Sequence, residues 1–187
     1  MAFQSPARRV PKPLDSARLE ELALAYVARF ATSAAKLQQY LARKLRERGW
    51  EGEGDPPVAA TVARFVALGY VDDAAFARSR SASLLRRGYG RRRVDQTLGA
   101  AGIDEAVRGA VRPGAGAQRR AALVLAGKRG FGPFGKAAPD RAAREKQIAA
   151  MLRAGHPLDS ARELVNAATI EAAEEWVAAA EGNEPCD

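Results

Sequence analysis

The chain has 187 residues, 47% hydrophobic and 28% charged, enough to enclose a core and within the range of globular proteins. Its 30 Lys and Arg outweigh 22 Asp and Glu to leave a net charge of +8, which suits a polyanionic partner, either nucleic acid or an acidic protein surface. No apolar run approaches the roughly 20 residues that span a bilayer, and no alternating β-branched run of strand length occurs, which argues against a membrane span and against a sheet.

Residues 1–13 carry Arg8, Arg9 and Lys12 among prolines but no apolar h-region, so they read as a disordered basic arm and not as a secretory signal. From Leu14 to Phe30 the apolar positions Leu19, Leu22, Ala23, Tyr26, Val27 and Phe30 recur at helical spacing. Thr32 or Ser33 then caps a second helix that turns Leu37, Tyr40, Leu41 and Leu45 inward and stops at Gly49. After an acidic loop over Glu51–Asp55, Pro56 or Pro57 opens a third helix carrying Val58, Val62, Phe65, Val66 and Leu68.

The string Gly69, Tyr70, Val71, Asp72, Asp73, Ala74, Ala75, Phe76, Ala77 reads as a helix stop followed at once by a helix start. Gly69 takes the C′ position, Asp72 is the N-cap, and Asp73 adds negative charge at the positive end of the next helix dipole. Val71 is placed to staple onto a buried Phe76. Tyr70 belongs to the same structural string.

Next comes the basic turn Arg86, Arg87, Gly88, Tyr89, Gly90, Arg91, Arg92, Arg93, at the start of a helix that runs through Val94 and Leu98 to Gly102. Cations at a helix N-terminus oppose its dipole, so folding alone explains them poorly. Arginine forks pair with phosphate or carboxylate and Tyr89 adds a stacking face. Arg86, Arg87, Tyr89, Arg91, Arg92 and Arg93 are therefore the candidate partner-binding residues, with Arg93, beside the inward Val94, the one best suited to a structural role.

In the last third, Gly130, Gly132 and Gly135 match the spacing G-x-G-x-x-G, but a helical segment from Leu123 to Arg129 precedes them and Pro133 interrupts. A dinucleotide fingerprint needs a strand before and a helix directly after, so a glycine-hinged turn with Phe131 and Phe134 tucked under the bundle is expected instead. A single His156 and one cysteine, the near-terminal Cys186, supply neither a metal set nor a nucleophilic site, and no catalytic residue, cofactor or metal is assigned. A lone cysteine that cannot bridge internally fits a reducing cytoplasm.

Two patterns cover the whole chain. Gly49, Gly102 and Gly155 lie 53 residues apart, each closing an amphipathic run and each followed by an apolar or ring side chain, Trp50, Ile103 and His156. This predicts an all-α chain of three tandem three-helix repeats over residues 14–68, 69–112 and 113–168, with an acidic helix and tail over 169–187. Charge divides as well: residues 1–155 hold 29 Lys and Arg against 14 acids, a net +15, and the remainder holds Arg162 against eight acids, a net −7.

The Gly69–Ala77 string, the basic turn with Gly90 and Leu98 before Gly102 and Ile103, and the segment from Arg129-Gly-Phe to Arg144-Glu-Lys-Gln resemble the RecX family over roughly residues 20–168. The resemblance implies an elongated, curved array of three-helix repeats, a non-catalytic and monomeric regulator of the RecA recombinase. Such a protein binds along the RecA filament on single-stranded DNA and lowers its ATP hydrolysis and strand exchange. His156 stands where members of the family often carry an aromatic such as phenylalanine, and the acidic helix from Ile170 to Gly182 lies beyond the three repeats. The other readings are a stand-alone helical binder of single- or double-stranded nucleic acid and a helical scaffold for an unrelated partner.

Overall fold

The computed structural model describes residues 12–181; most of the basic arm, Cys186 and the end of the acidic tail lie outside the described residues. Ten α-helices occur among them: α1 (Ser16–Val27), α2 (Ala34–Arg48), α3 (Val58–Ala67), α4 (Asp73–Arg86), α5 (Arg91–Ala100), α6 (Glu105–Ala110), α7 (Ala115–Arg129), α8 (Arg141–Arg153), α9 (Leu158–Asn166) and α10 (Ile170–Glu181). Strand-like pairing among the described residues is limited to one isolated bridge between Leu14 and Trp50, so the chain is all-α. It divides into two compact units, residues 1–73 and 74–187.

In the first unit the helices start where short polar side chains cap them. Asp15 Oδ1 accepts from Arg18 N at 2.8 Å at the head of α1, and of the two candidate caps for α2 it is Ser33 that accepts, from Lys36 N at 3.3 Å. The apolar faces converge on Leu14, Leu19, Ala23, Leu37, Leu41, Val62, Phe65 and Val71. Asp73 Oδ1 accepts from Ala34 N at 2.9 Å, so this carboxylate satisfies an orphan donor in the first turn of α2 while standing in the first turn of α4. Tyr70 is exposed, yet its N–H donates to Phe65 O and its ring lies 5.6 Å from the Phe65 ring, the hydrophobic contact that accompanies a glycine-terminated helix end.

The equally spaced glycines are not equivalent. Gly102 and Gly155 stand at C′ with the N–H of the next residue returning to the helix, Ile103 to Leu98 O and His156 to Met151 O, both at 3.1 Å. Gly49 is itself the cap of α2, with φ 82° and ψ 172°, and sends the chain out extended so that Leu14 N–H reaches Gly49 O and Glu51 N–H reaches Leu14 O. Ile103 and His156 are buried plugs, whereas Trp50 is half-buried and donates its indole N–H to Gly54 O.

The second unit has two core clusters. Ala77, Leu84, Val94, Leu98, Ala101 and Ile103 form one, against which Phe76 is half-buried and not enclosed as its spacing suggested. Ala122, Ala126, Met151, Ala161, Leu164, Val165 and Ala173 form the other. The acidic helix α10 belongs to this second cluster: Ala173, Val177 and Ala180 are buried against α7, and the Arg119 guanidinium lies 4.4 Å from the Trp176 ring while donating to Trp176 O. Gly130 closes α7, and the Gly132 N–H donates to Gln147 Oε1 at 2.9 Å within a 3-10 turn over Gly132–Phe134. The glycine string is thus a packed turn, with Phe131 and Phe134 half-buried against the core.

Candidate functional site

The basic turn between α4 and α5 is fastened to the turn between α8 and α9 through backbone. Gly90 N–H donates to Ala154 O at 2.9 Å and Arg92 N–H to Gly155 O at 3.2 Å, so carbonyls at the end of α8 satisfy orphan donors at the start of α5. The chains meet too closely for any side chain: a Cβ on Gly90 would stand 2.4 Å from the Gly155 carbonyl, and one on Gly155 would stand 2.5 Å from Arg93 N. His156, only 3% exposed, completes the clamp by donating from Nε2 to Gly88 O at 2.9 Å, while its buried Nδ1 has no partner among the described residues. Burial pushes the His156 pKa below its ordinary value, and the bond to the Gly88 carbonyl opposes that shift in part.

This clamp revises the case for the arginines. Arg92 Nη2 donates to Leu152 O at 2.7 Å, which places its charge at the C-terminal, negative end of α8. Its position is unfavourable for its own helix and favourable for the neighbouring one, so Arg92, in place of the expected Arg93, has the structural role.

The remaining candidates separate onto two concavities of the second unit. Arg87, Tyr89 and Arg93 line a groove of about 430 Å³ together with Lys128, Arg129, Phe131 and Arg153. No carboxylate of the described residues lines it. The Arg87 guanidinium lies 5.4 Å from the Tyr89 ring centroid, and Lys128 Nζ reaches the Arg86 and Arg87 carbonyls at 3.4 and 3.5 Å. Arg91 and Arg92 line a second cleft of about 480 Å³ with Arg112, Asp95 and the apolar Leu152 and Leu158. Arg86 is exposed and lines neither.

Lys128, Arg129 and Arg153 are absent from the sequence-derived candidates. The signal available was their place in the last turns of α7 and α8, where cations are common for dipole reasons alone. What makes them neighbours of Arg87 and Arg93 is tertiary. Among the described residues no group of three or more His, Cys, Asp or Glu is placed to hold a metal ion, and no helix is long and apolar enough to cross a membrane.

An all-α chain built of short helices around a glycine-clamped basic turn is the class of protein that the fold and site define, and the comparisons place it more narrowly. Residues 72–111 match the family described as RecX, second three-helix domain. The regulatory protein RecX of Myxococcus xanthus is 30% identical over 165 residues, covering 83% of this chain and 88% of that protein. The regulatory protein RecX of Mycobacterium sp. strain KMS is 38% identical over 101 residues, 52% of either chain. The crystal structure of RecX from Lactobacillus salivarius shares the fold, with a TM-score of 0.64 at 16% identity over 80% of this chain and 93% of that one. The chain belongs to the RecX family of regulatory proteins.

Proposed function

We propose that this chain is a non-catalytic, monomeric, cytoplasmic modulator of RecA that binds the RecA filament on single-stranded DNA and lowers its ATP hydrolysis and strand exchange. The observation that carries this reading is the family membership across most of the chain. The basic turn supports it, since Arg87 and Arg93 on one side and Arg91 on the other offer cations to a partner made of both phosphate and acidic protein. Arg86 and Tyr89 extend the same contact surface. Co-sedimentation with RecA filaments, with unassembled RecA and with naked single-stranded DNA tests the reading, alongside RecA ATP hydrolysis. Retention by filaments above both controls, with slower hydrolysis, is the expected result. Retention no greater on filaments than on naked DNA would overturn it.

A second reading, a stand-alone nucleic-acid-binding protein, draws on the five cations and two rings of the 430 Å³ groove. It predicts naked-DNA binding that weakens steeply with salt and no added affinity from RecA.

A further inference from the structure

We propose that the groove between the α4–α5 turn and the C-terminal ends of α7 and α8 is a seat for single-stranded nucleic acid, holding the phosphates with Arg93 and Arg153 and one unpaired base against Tyr89. Five cations and no carboxylate of the described residues line the groove, whereas in the neighbouring cleft Asp95 is present and pairs with Arg108 at 2.9 Å. Folding accounts for part of that charge. Lys128, Arg129 and Arg153 stand in the last turns of α7 and α8, where they complement the helix dipoles. Arg93 has no such account: it sits in the first turn of α5, exposed, beside a helix end that already has its carbonyl partners and its own arginine in Arg92.

The rings decide between phosphate and carboxylate ligands. Tyr89 and Phe131 both line the groove, and the Arg87 guanidinium lies 5.4 Å from the Tyr89 ring centroid, so aromatic rings and a planar cation stand together there. An acidic peptide gains little from such faces and finds apolar company at Leu152 and Leu158 in the other cleft. A duplex keeps its bases stacked inside, so a single strand is the nucleic acid that uses both features. The volume of about 430 Å³ falls among small-ligand sites and suits one nucleotide, not a helix of duplex. Rigidity adds to the argument, because the Gly90–Gly155 approach holds one wall of the groove in a fixed position against the other.

The proposal rests on the filament reading only for its biological setting, and the test is arranged to separate the two. Fluorescence anisotropy of the full chain is read with a labelled oligo-dT of about 20 nucleotides and with an abasic strand of the same length, which keeps the phosphates and removes the bases. Unmodified protein is expected to bind the oligo-dT about tenfold tighter, the worth of one stacked base. Tyr89→Leu should abolish that preference and Tyr89→Phe should keep it. Arg93→Glu with Arg153→Glu should weaken both strands at least about tenfold, since it removes two phosphate contacts and adds repulsion. The Gln pair gives the same direction if the reversal perturbs helicity. Arg112→Gln, in the other cleft, should leave oligonucleotide binding near wild type. Equal affinity for oligo-dT and the abasic strand would overturn the base seat, undiminished affinity in the folded Arg93/Arg153 variants would place the strand elsewhere, and competition by poly-Glu as effective as by oligo-dT would assign the groove to an acidic partner. No RecA is present in these arms. A chain that binds oligo-dT as expected but ignores RecA filaments would overturn the filament reading and leave the seat standing.

Discussion

A single methyl group separates Gly155 from failure. The residue combines φ +96° with a Cβ position 2.5 Å from Arg93 N, so Gly155→Ala meets both a backbone conformation that L side chains rarely adopt and a collision with backbone that cannot swing aside. Gly49 has φ +82° with open space around it, which isolates the conformational part of the cost. Urea unfolding is expected to rank them: about 1–3 kcal/mol for Gly49→Ala from strain alone, and more than that for Gly155→Ala. Equal losses would mean that the close approach contributes nothing. Asp73→Ala is expected to cost about 1 kcal/mol, because the Ala34 N–H it serves loses its acceptor.

His156 makes a pH-dependent contribution of definite sign. Its folded pKa is depressed below 6.5 by burial, so below that pH the unfolded chain binds the proton that the folded chain refuses. Stability should be fully present above pH about 6.5 and fall as the pH drops through the folded pKa, with a slope of at most about 1.4 kcal/mol per pH unit for one proton. The check is the urea midpoint between pH 7.5 and 5. His156→Phe, which cannot titrate, should flatten that part of the profile; an unchanged slope would assign it to other groups.

At the level of whole elements, the acidic α10 is part of the packing and not a loose tail. Ala173, Val177 and Ala180 are buried, and Trp176 sits half-buried under the Arg119 guanidinium. Its acids Glu171, Glu174 and Glu175 are exposed and none of them lines the basic groove. Cutting the chain after Ala168 should therefore strip cover from α7 and destabilise the second unit. Trp176→Ala should cost about 2–3 kcal/mol, somewhat under the range for a fully buried tryptophan. Near-wild-type melting of the truncated chain would show that α10 contributes no packing energy.

For the molecule as a whole, the division at residues 73 and 74 predicts that stability is not one number. Gly155→Ala should accelerate amide exchange throughout α5, α7, α8 and α9 and leave α1–α3 near wild-type protection. Uniform loss of protection would mean that the two units unfold as one. Charge acts at the same scale. A net +15 over residues 1–155 implies an association with any polyanion that weakens markedly between about 50 and 200 mM salt, which the filament assay reads directly.

Much of the helix pattern is local and was therefore legible in the sequence. Ser33 caps, Gly102 and Gly155 stop, and Leu37 with Leu41 or Val94 with Leu98 mark inward faces, because the 3.6-residue period and the caps act over a few neighbouring residues. The all-α class and the family likeness come from the same short-range strings. The glycine period was partly misleading: Gly49 shares the spacing of Gly102 and Gly155, but the path of the chain beyond it is decided by the distant Leu14. The site was less legible still. Five arginines adjacent in sequence looked like one surface, yet helical geometry turns Arg91 and Arg93 to different sides, and the α8–α9 turn, some 60 residues on, takes Arg92 for itself. Arg153 comes to Arg93 where Gly90 and Gly155 let two backbones touch, Lys128 comes to Arg87 where Gly88 lies against the Leu125 backbone, and no local pattern records which distant chain will fill the space a missing side chain leaves.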